Sequence, residues 1–231
     1  MSVCIIPARG GSKRIPRKNI RDFCGRPMIG WPIQAAIDSG CFDRIVVSTD
    51  DDEIAQVAKE AGAEAPFRRR AELSDDHTPT VPVIADCIDQ LNVQCQTPVC
   101  CLYATSPFVT PADLNAGMER LDNTGAPFVL SVTTYAFPIQ RALRRDTSGE
   151  VKMFNPAHMQ TRSQDLEEAW HDAGQFYWGR AESWATSRGI FESGAQGLAL
   201  PRHRVQDIDT EEDWLRAEWM FQELNTKWRK T

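Results

Sequence analysis

The chain has 231 residues, 42% apolar and 25% charged, with 26 Lys+Arg against 32 Asp+Glu for a formal charge of −6. This is the balance of an ordinary soluble globular protein and excludes collagen-like, low-complexity and largely disordered chains. No apolar run approaches the roughly 20 residues that span a bilayer, and the net negative charge gives no general affinity for nucleic acid or anionic membrane, so any anion site must come from a local cluster of basic residues.

The predicted elements alternate along the chain. Ser2–Ala8 reads as a buried strand, and Arg9–Arg21 as a loop rich in Gly, Pro and basic residues. Pro27–Ser39 has the pattern of a helix with Gly40 as its stop, although Pro32 argues against a straight one. Arg44–Ser48 is a strand, and Asp51–Ala61 a helix with acidic residues at its start and Gly62 after its end. Glu64–Phe67 reads as a short strand, Pro79–Leu91 as a helix, and Pro98–Tyr103 as a strand apolar enough to be buried on both faces. Cys100 and Cys101 inside it should point to opposite sides. Pro111–Leu121 is a helix and Pro127–Thr133 a strand.

The rhythm breaks from Tyr135 to Trp170, a stretch with two prolines and a turn at Asp146–Gly149, which reads as an inserted arm or hairpin. Regular structure returns with Gln175–Trp178 (strand), Arg180–Ser187 (helix), Gly197–Leu200 (strand) and Glu211–Asn225 (helix). The order predicts one α/β domain over residues 1–231. It should be Rossmann-like, with a mostly parallel sheet and helices on both faces. The seven cysteines form no CxxC pair and no zinc or disulfide spacing. Buried free thiols, with no basic n-region at the N-terminus, predict a cytoplasmic protein.

The first βα loop carries the strongest chemistry. After an α/β strand the chain turns outward at the carboxyl edge of the sheet, where such folds bind phosphates. Gly10 and Gly11 let a backbone approach an anion and aim N–H groups at it. Arg9, Lys13, Arg14, Arg17, Lys18 and Arg21 put six cations into thirteen residues, a density suited to a triphosphate. Neither GxxxxGK[ST] nor GxGxxG is present.

A second cluster, Asp207-Ile208-Asp209-Thr210, puts two carboxylates on one face of an extended segment, as Mg²⁺ sites do. Capping of the last helix by Asp209 or Thr210 is the structural alternative, and the two are compatible. Arg68-Arg69-Arg70 fits a solvated turn or an anion contact. Tyr103-Ala104-Thr105-Ser106 ends a buried strand in hydroxyls, and Thr110 is placed to cap the helix that follows. The segments Thr161–Glu167 and His171–Gly179 are dense in polar groups and aromatics that suit a sugar. No RNP, KH or helix-turn-helix pattern speaks for nucleic acid.

The run Ile6-Pro7-Ala8-Arg9-Gly10-Gly11-Ser12-Lys13 with Pro16-Arg17-Lys18-Asn19-Ile20, and Gln206-Asp207-Ile208-Asp209-Thr210, resembles the CMP-sialic acid synthetase family. The resemblance covers about Cys4 to Trp219, and Arg162–Asp165 with His171–Gly179 is most similar to the branch that activates pseudaminic acid. It implies the nucleotide-diphospho-sugar transferase type of fold and a reaction of CTP with a nine-carbon 2-keto sugar acid. Ala8, Arg9, Gly10, Gly11, Ser12 and Lys13 would hold the triphosphate, Lys18 the α-phosphate, and Asn19 and Arg69 the cytidine. Asp207 and Asp209 would hold Mg²⁺ and, with Arg9 and Lys18, form the catalytic set. Arg162, Gln164, Asp172 and Gln175 would face the sugar. Residues 135–170 would be a dimerisation arm of a homodimer, with no nucleic-acid or membrane partner. Three departures from the family pattern stand out: Arg70 where Pro is common, Tyr103-Ala104 where a Gln is common, and Arg14 inside the phosphate loop.

Overall fold

Residues 1–186, 189–191 and 194–228 are described in a computed structural model of the chain. In chain order the elements are β1 (Val3–Pro7), a small hairpin of β2 (Asp22–Phe23) and β3 (Arg26–Pro27), α1 (Gly30–Ser39), β4 (Arg44–Ser48) and α2 (Asp52–Glu60). Then come α3 (Thr80–Gln90), β5 (Pro98–Leu102), α4 (Pro111–Thr124) and β6 (Phe128–Thr134). The arm carries a hairpin of β7 (Leu143–Arg145) and β8 (Val151–Met153), and β9 (Trp170–Arg180), α5 (Ala181–Ala185), β10 (Gln196–Ala199) and α6 (Glu211–Trp228) complete the chain.

The central sheet has the order β10-β6-β9-β5-β1-β4. β1 runs parallel to β4 and β5, and β10 parallel to β6, while β9 lies antiparallel between β5 and β6. The sheet is therefore mostly parallel, with helices on both faces. β1 and β5 are buried on both sides, which is why their sequences are unbroken apolar runs. Cys4 and Cys100 face the layer of α1, α2 and α4, whereas Cys101 faces that of α3 and α5, as strand alternation requires. A third apolar cluster joins Ile15 and Phe23 of the first loop region to Trp214, Ala217 and Phe221 of α6. There the Phe23 ring meets Trp214 edge-on at 5.4 Å and Phe221 at 5.3 Å. That contact clamps the last helix over the first loop.

Several expectations are corrected. Glu64–Phe67 forms only a single bridge, Glu64 to Val46, because Pro66 has no N–H with which to continue a ladder. The first helix begins at Gly30, not Pro27, since Arg26–Pro27 pairs in the small hairpin. Pro32 then falls in the first turn, where its missing N–H leaves no hydrogen bond unmade. The strand expected at Gln175–Trp178 extends over Trp170–Arg180, and the helix expected at Arg180–Ser187 spans Ala181–Ala185, Ser187 lying outside the described residues. Thr110 caps α4 through a box with Asp113. Thr210 does the same for α6: its Oγ1 accepts the Asp213 N–H at 3.2 Å, and the Asp213 carboxylate accepts the Thr210 N–H at 2.9 Å. Asp207 and Asp209 are thereby left out of the cap. No helix among the described residues is long and apolar enough to cross a membrane.

Candidate active site

The carboxyl ends of β1, β4 and β5 emerge on one edge of the sheet, and antiparallel β9 begins there. Their loops enclose an open cleft of about 560 Å³. Arg9, Ser12, Lys18, Asn19, Arg69, Asp172 and Asp207, all singled out in the sequence, line it. Thr78, Thr80, Tyr103, Thr105, Tyr177 and Gln206 line it as well. Thr78 and Thr80 stood in no motif, because single hydroxyls about the start of a helix form no pattern of their own.

The loop after β1 is fixed from both ends. Ala8 continues the β1–β4 ladder with an N–H bond to Ser48 O at 2.9 Å. Asn19, buried, donates to Arg9 O at 3.0 Å. Gly10 is required: a Cβ there would fall 2.6 Å from Asp51 Oδ2. Gly11 meets open space and carries no such demand. The six cations separate into two groups. Arg17 pairs with Asp51 and Glu53, each at 2.5 Å, and Arg21 with Glu211 at 2.7 Å. These two tie the loop to the start of α2 and the start of α6. Arg9 and Lys13 share the carboxylate of Asp76, while Arg14 at 2.9 Å and Lys18 at 3.4 Å share that of Asp209. Lys18 Nζ also donates to Ile208 O at 2.6 Å.

Of three consecutive arginines, the fold brings one inward. Arg68 pairs with Asp52 and Arg70 with Asp86. Arg69 is 7% exposed, donates to the Ser48 hydroxyl and carbonyl, and pairs with no carboxylate among the described residues. Burial lowers its pKa, so this guanidinium is a desolvated cation facing the cleft.

On the opposite wall, Asp172 accepts the Gly174 N–H at 2.9 Å and the Tyr177 hydroxyl. The Tyr103 hydroxyl bonds Thr80 Oγ1 at 2.9 Å, and the Tyr103 and Tyr177 rings meet edge-on at 5.5 Å. Burial drives both phenol pKa values up, Tyr103 to about 12, so both remain neutral donors. On the floor, Asp207 has no ion pair among the described residues, and burial first, then Asp209, raise its carboxyl pKa.

The sequence pattern of the cytidylyltransferases matches residues 3–198. The chain belongs to the cytidylyltransferase family. It is 45% identical, over 92% of both chains, to the pseudaminic acid cytidylyltransferase of Campylobacter jejuni. It is 30% identical to the CMP-N,N'-diacetyllegionaminic acid synthase of Legionella pneumophila over 96% of this chain and 97% of that one. Among solved structures, CMP:2-keto-3-deoxy-manno-octonic acid synthetase complexed with CTP superposes with a TM-score of 0.70 over 96% of this chain and 98% of that one, at 18% identity. That likeness is one of fold.

Within this cytidylyltransferase the remaining expected site residues stand apart from the cleft. Ala8, Gly10, Gly11 and Lys13 lie in the loop at its rim. Asp209 sits beside Asp207, behind Lys18. Gln175 is 3% exposed and turned away: its Nε2 donates to Arg204 O at 2.5 Å and its Oε1 is buried without a hydrogen-bond partner. Arg162 and Gln164 sit on the arm, where Arg162 pairs with Asp165 at 2.8 Å. No group of three or more metal-binding side chains occurs among the described residues. The fit to a metal is therefore that of a carboxylate pair with one member unpaired. Such a set suits Mg²⁺, which keeps waters and substrate phosphates for its other positions.

Proposed function

We propose that this cytidylyltransferase transfers CMP from CTP to the anomeric hydroxyl of pseudaminic acid and releases pyrophosphate. One observation carries the reading: a single cleft gathers the loop cations Arg9 and Lys18, the buried cation Arg69, the unpaired carboxylate Asp207 and the tyrosine-held Asp172. The 45% identity to the Campylobacter enzyme over 92% of this chain supports the reading.

Arg9, Ser12 and Lys13, with the backbone of Ala8, Gly10 and Gly11, take the triphosphate. Lys18 stands at the α-phosphate. Asn19 and Arg69 take the cytidine, where a buried guanidinium gains most from a carbonyl acceptor. Asp207 and Asp209 would hold Mg²⁺, which would draw charge from the phosphate oxygens. The sugar lies against Asp172, with Gln175 beneath the wall it packs on. As the anomeric hydroxyl gives up its proton to the medium and its oxygen bonds to the α-phosphorus, the bond to the bridging oxygen breaks and its electron pair leaves with pyrophosphate. Fixed cations at the leaving group stabilise that charge without having to reorganise.

The enzyme works as a cytoplasmic homodimer in this reading. Phe137, Leu143, Phe154 and Met159 of the arm are 83%, 59%, 68% and 57% exposed. Large apolar side chains left exposed along one arm call for cover, and a second copy would bring Arg162 and Gln164 to its partner's cleft. All seven cysteines are free thiols, as a reducing compartment keeps them.

The test is pyrophosphate release from CTP and Mg²⁺ with pseudaminate, legionaminate, N-acetylneuraminate or Kdo, with UTP and EDTA as controls. Release with CTP, metal and pseudaminate alone is expected. Release with legionaminate, N-acetylneuraminate or Kdo instead would favour the alternative, the same reaction on another keto-sugar acid, which for legionaminate the Legionella relative supports. No release with any sugar would overturn the proposal.

A further inference from the structure

The donors that a triphosphate requires are already engaged. Arg9 and Lys13 each bond one oxygen of the Asp76 carboxylate. The Gly10 N–H is donated to Asp50 Oδ1 at 2.9 Å. A phosphate group and a carboxylate compete for the same N–H forks and ammonium hydrogens, and both anions together between two cations would repel one another.

Asp76 is also built to leave. It belongs to an exposed turn between Ser74 and Pro79, but the turn is held by its neighbour. Asp75 Oδ1 accepts the His77 N–H at 2.9 Å, the Thr78 N–H at 2.7 Å and the Thr78 hydroxyl at 2.7 Å. Asp76 can therefore release its cations without unmaking the turn. Lys13 first and Arg9 second hold the Asp76 carboxyl down to about 2, so it is charged at any pH where the enzyme acts. Thr78 and Thr80, on the cleft wall, follow directly in the chain.

We infer that Asp76 is an internal counter-anion of the phosphate loop, which holds Arg9 and Lys13 in place until the triphosphate displaces it and which returns to speed the departure of pyrophosphate. The inference rests on the reading that this loop takes the triphosphate of CTP. Asp76 acts through Arg9 and Lys13; it sets the affinity of the loop and takes no part in the chemical step.

The experiment is calorimetric titration of the full chain with CTP and, separately, with inorganic pyrophosphate, for wild type, Asp76→Asn, Asp76→Ser and Glu72→Gln. Two part-exposed ion pairs are together worth about fivefold in affinity, so both Asp76 variants should bind both probes about fivefold more tightly. Stopped-flow release of pyrophosphate should slow by a similar factor. Glu72, exposed in the same segment and outside the ion pairs, controls for charge alone, and its variant should bind as wild type does. Equal or weaker binding by the Asp76 variants, with wild type binding both probes, overturns this inference and leaves the proposed function standing. Tightening by Glu72→Gln to the same degree also overturns it. Wild-type protein that binds neither probe overturns both.

Discussion

The phosphate loop and the arm solve opposite problems. Every cation of the loop from Arg9 to Arg21 finds a carboxylate of its own chain. The arm leaves Phe137, Leu143, Val151 and Phe154 more than half exposed. Charge can be met locally, by one side chain or by water, so a charged segment can be complete within a single chain. Apolar area cannot be met by water at all. One region thus finds its partners within the isolated chain, and the other leaves large apolar side chains exposed there.

The sharpest test of the first half of this contrast is Asp207→Ala. The residue has no ion pair among the described residues, so its loss should leave the melting temperature within a few degrees of wild type. If it holds the metal, turnover should fall by about a thousandfold, a barrier increase near 4 kcal/mol. Turnover within about tenfold of wild type would remove Asp207 from the site. Asp209→Ala should cut turnover comparably but also free Arg14 and Lys18, so a lower melting temperature should separate it from Asp207→Ala.

The second half is tested by Phe137→Asp combined with Phe154→Asp. Light scattering should show a dimer for wild type and a monomer for the variant, with the circular dichroism spectrum unchanged. A monomeric wild type would remove the contrast altogether.

Two smaller effects probe how the loop is held. Gly10→Ala puts a methyl group against Asp51 and should cost about 1–3 kcal/mol in unfolding free energy, as overpacking does. The Arg17–Asp51 pair predicts a pH dependence. Arg17 holds the Asp51 carboxyl down to about 2, below its ordinary value of 3.8. A depressed carboxyl contributes its full stability above its unfolded pKa and loses it as pH falls through the folded one. The contribution is therefore present above about pH 4 and disappears toward pH 2. Arg17→Met should lose about 1 kcal/mol at neutral pH, a value reduced for solvent screening of a part-exposed pair, and the difference from wild type should vanish below pH 2. A constant difference across that range would show that Arg17 acts through packing alone.

The sequence made some of this legible and hid the rest for identifiable reasons. The β-α alternation and the loop after β1 are local patterns and are found where the sequence implied, while of the Asp207–Asp209 pair Asp207 lines the cleft and Asp209 pairs with Arg14 and Lys18. The choice among Arg68, Arg69 and Arg70 is not local, because burial of Arg69 depends on Ser48 at the end of β4. Gln175 shows the same limit. Along a regular strand, Asp172 and Tyr177 would face opposite sides. Gly174 has φ +61° and the β6–β9 register shifts between Leu130 and Val132, so alternation breaks between them. Asp172 and Tyr177 thus reach the same wall while Gln175 turns toward Arg204. Period-two reading fails across such a bulge. Thr78 and Thr80 were silent because single hydroxyls about a helix start carry no pattern that points to a cleft.

The clamp of α6 on the first loop also bears on how the protein is made. Lys18 donates to Ile208 across 190 residues of chain, and Phe23 rests on Trp214 and Phe221. Chains emerge from the ribosome N-terminus first, so the loop is exposed long before the segment that completes it exists. A nascent chain lacking residues 207–221 has no carboxylate pair and no aromatic clamp, and it should have no turnover to offer. The segment 207–210 and α6 after it are made last, so on the proposed reading the cleft is complete only when nearly the whole chain has been synthesised.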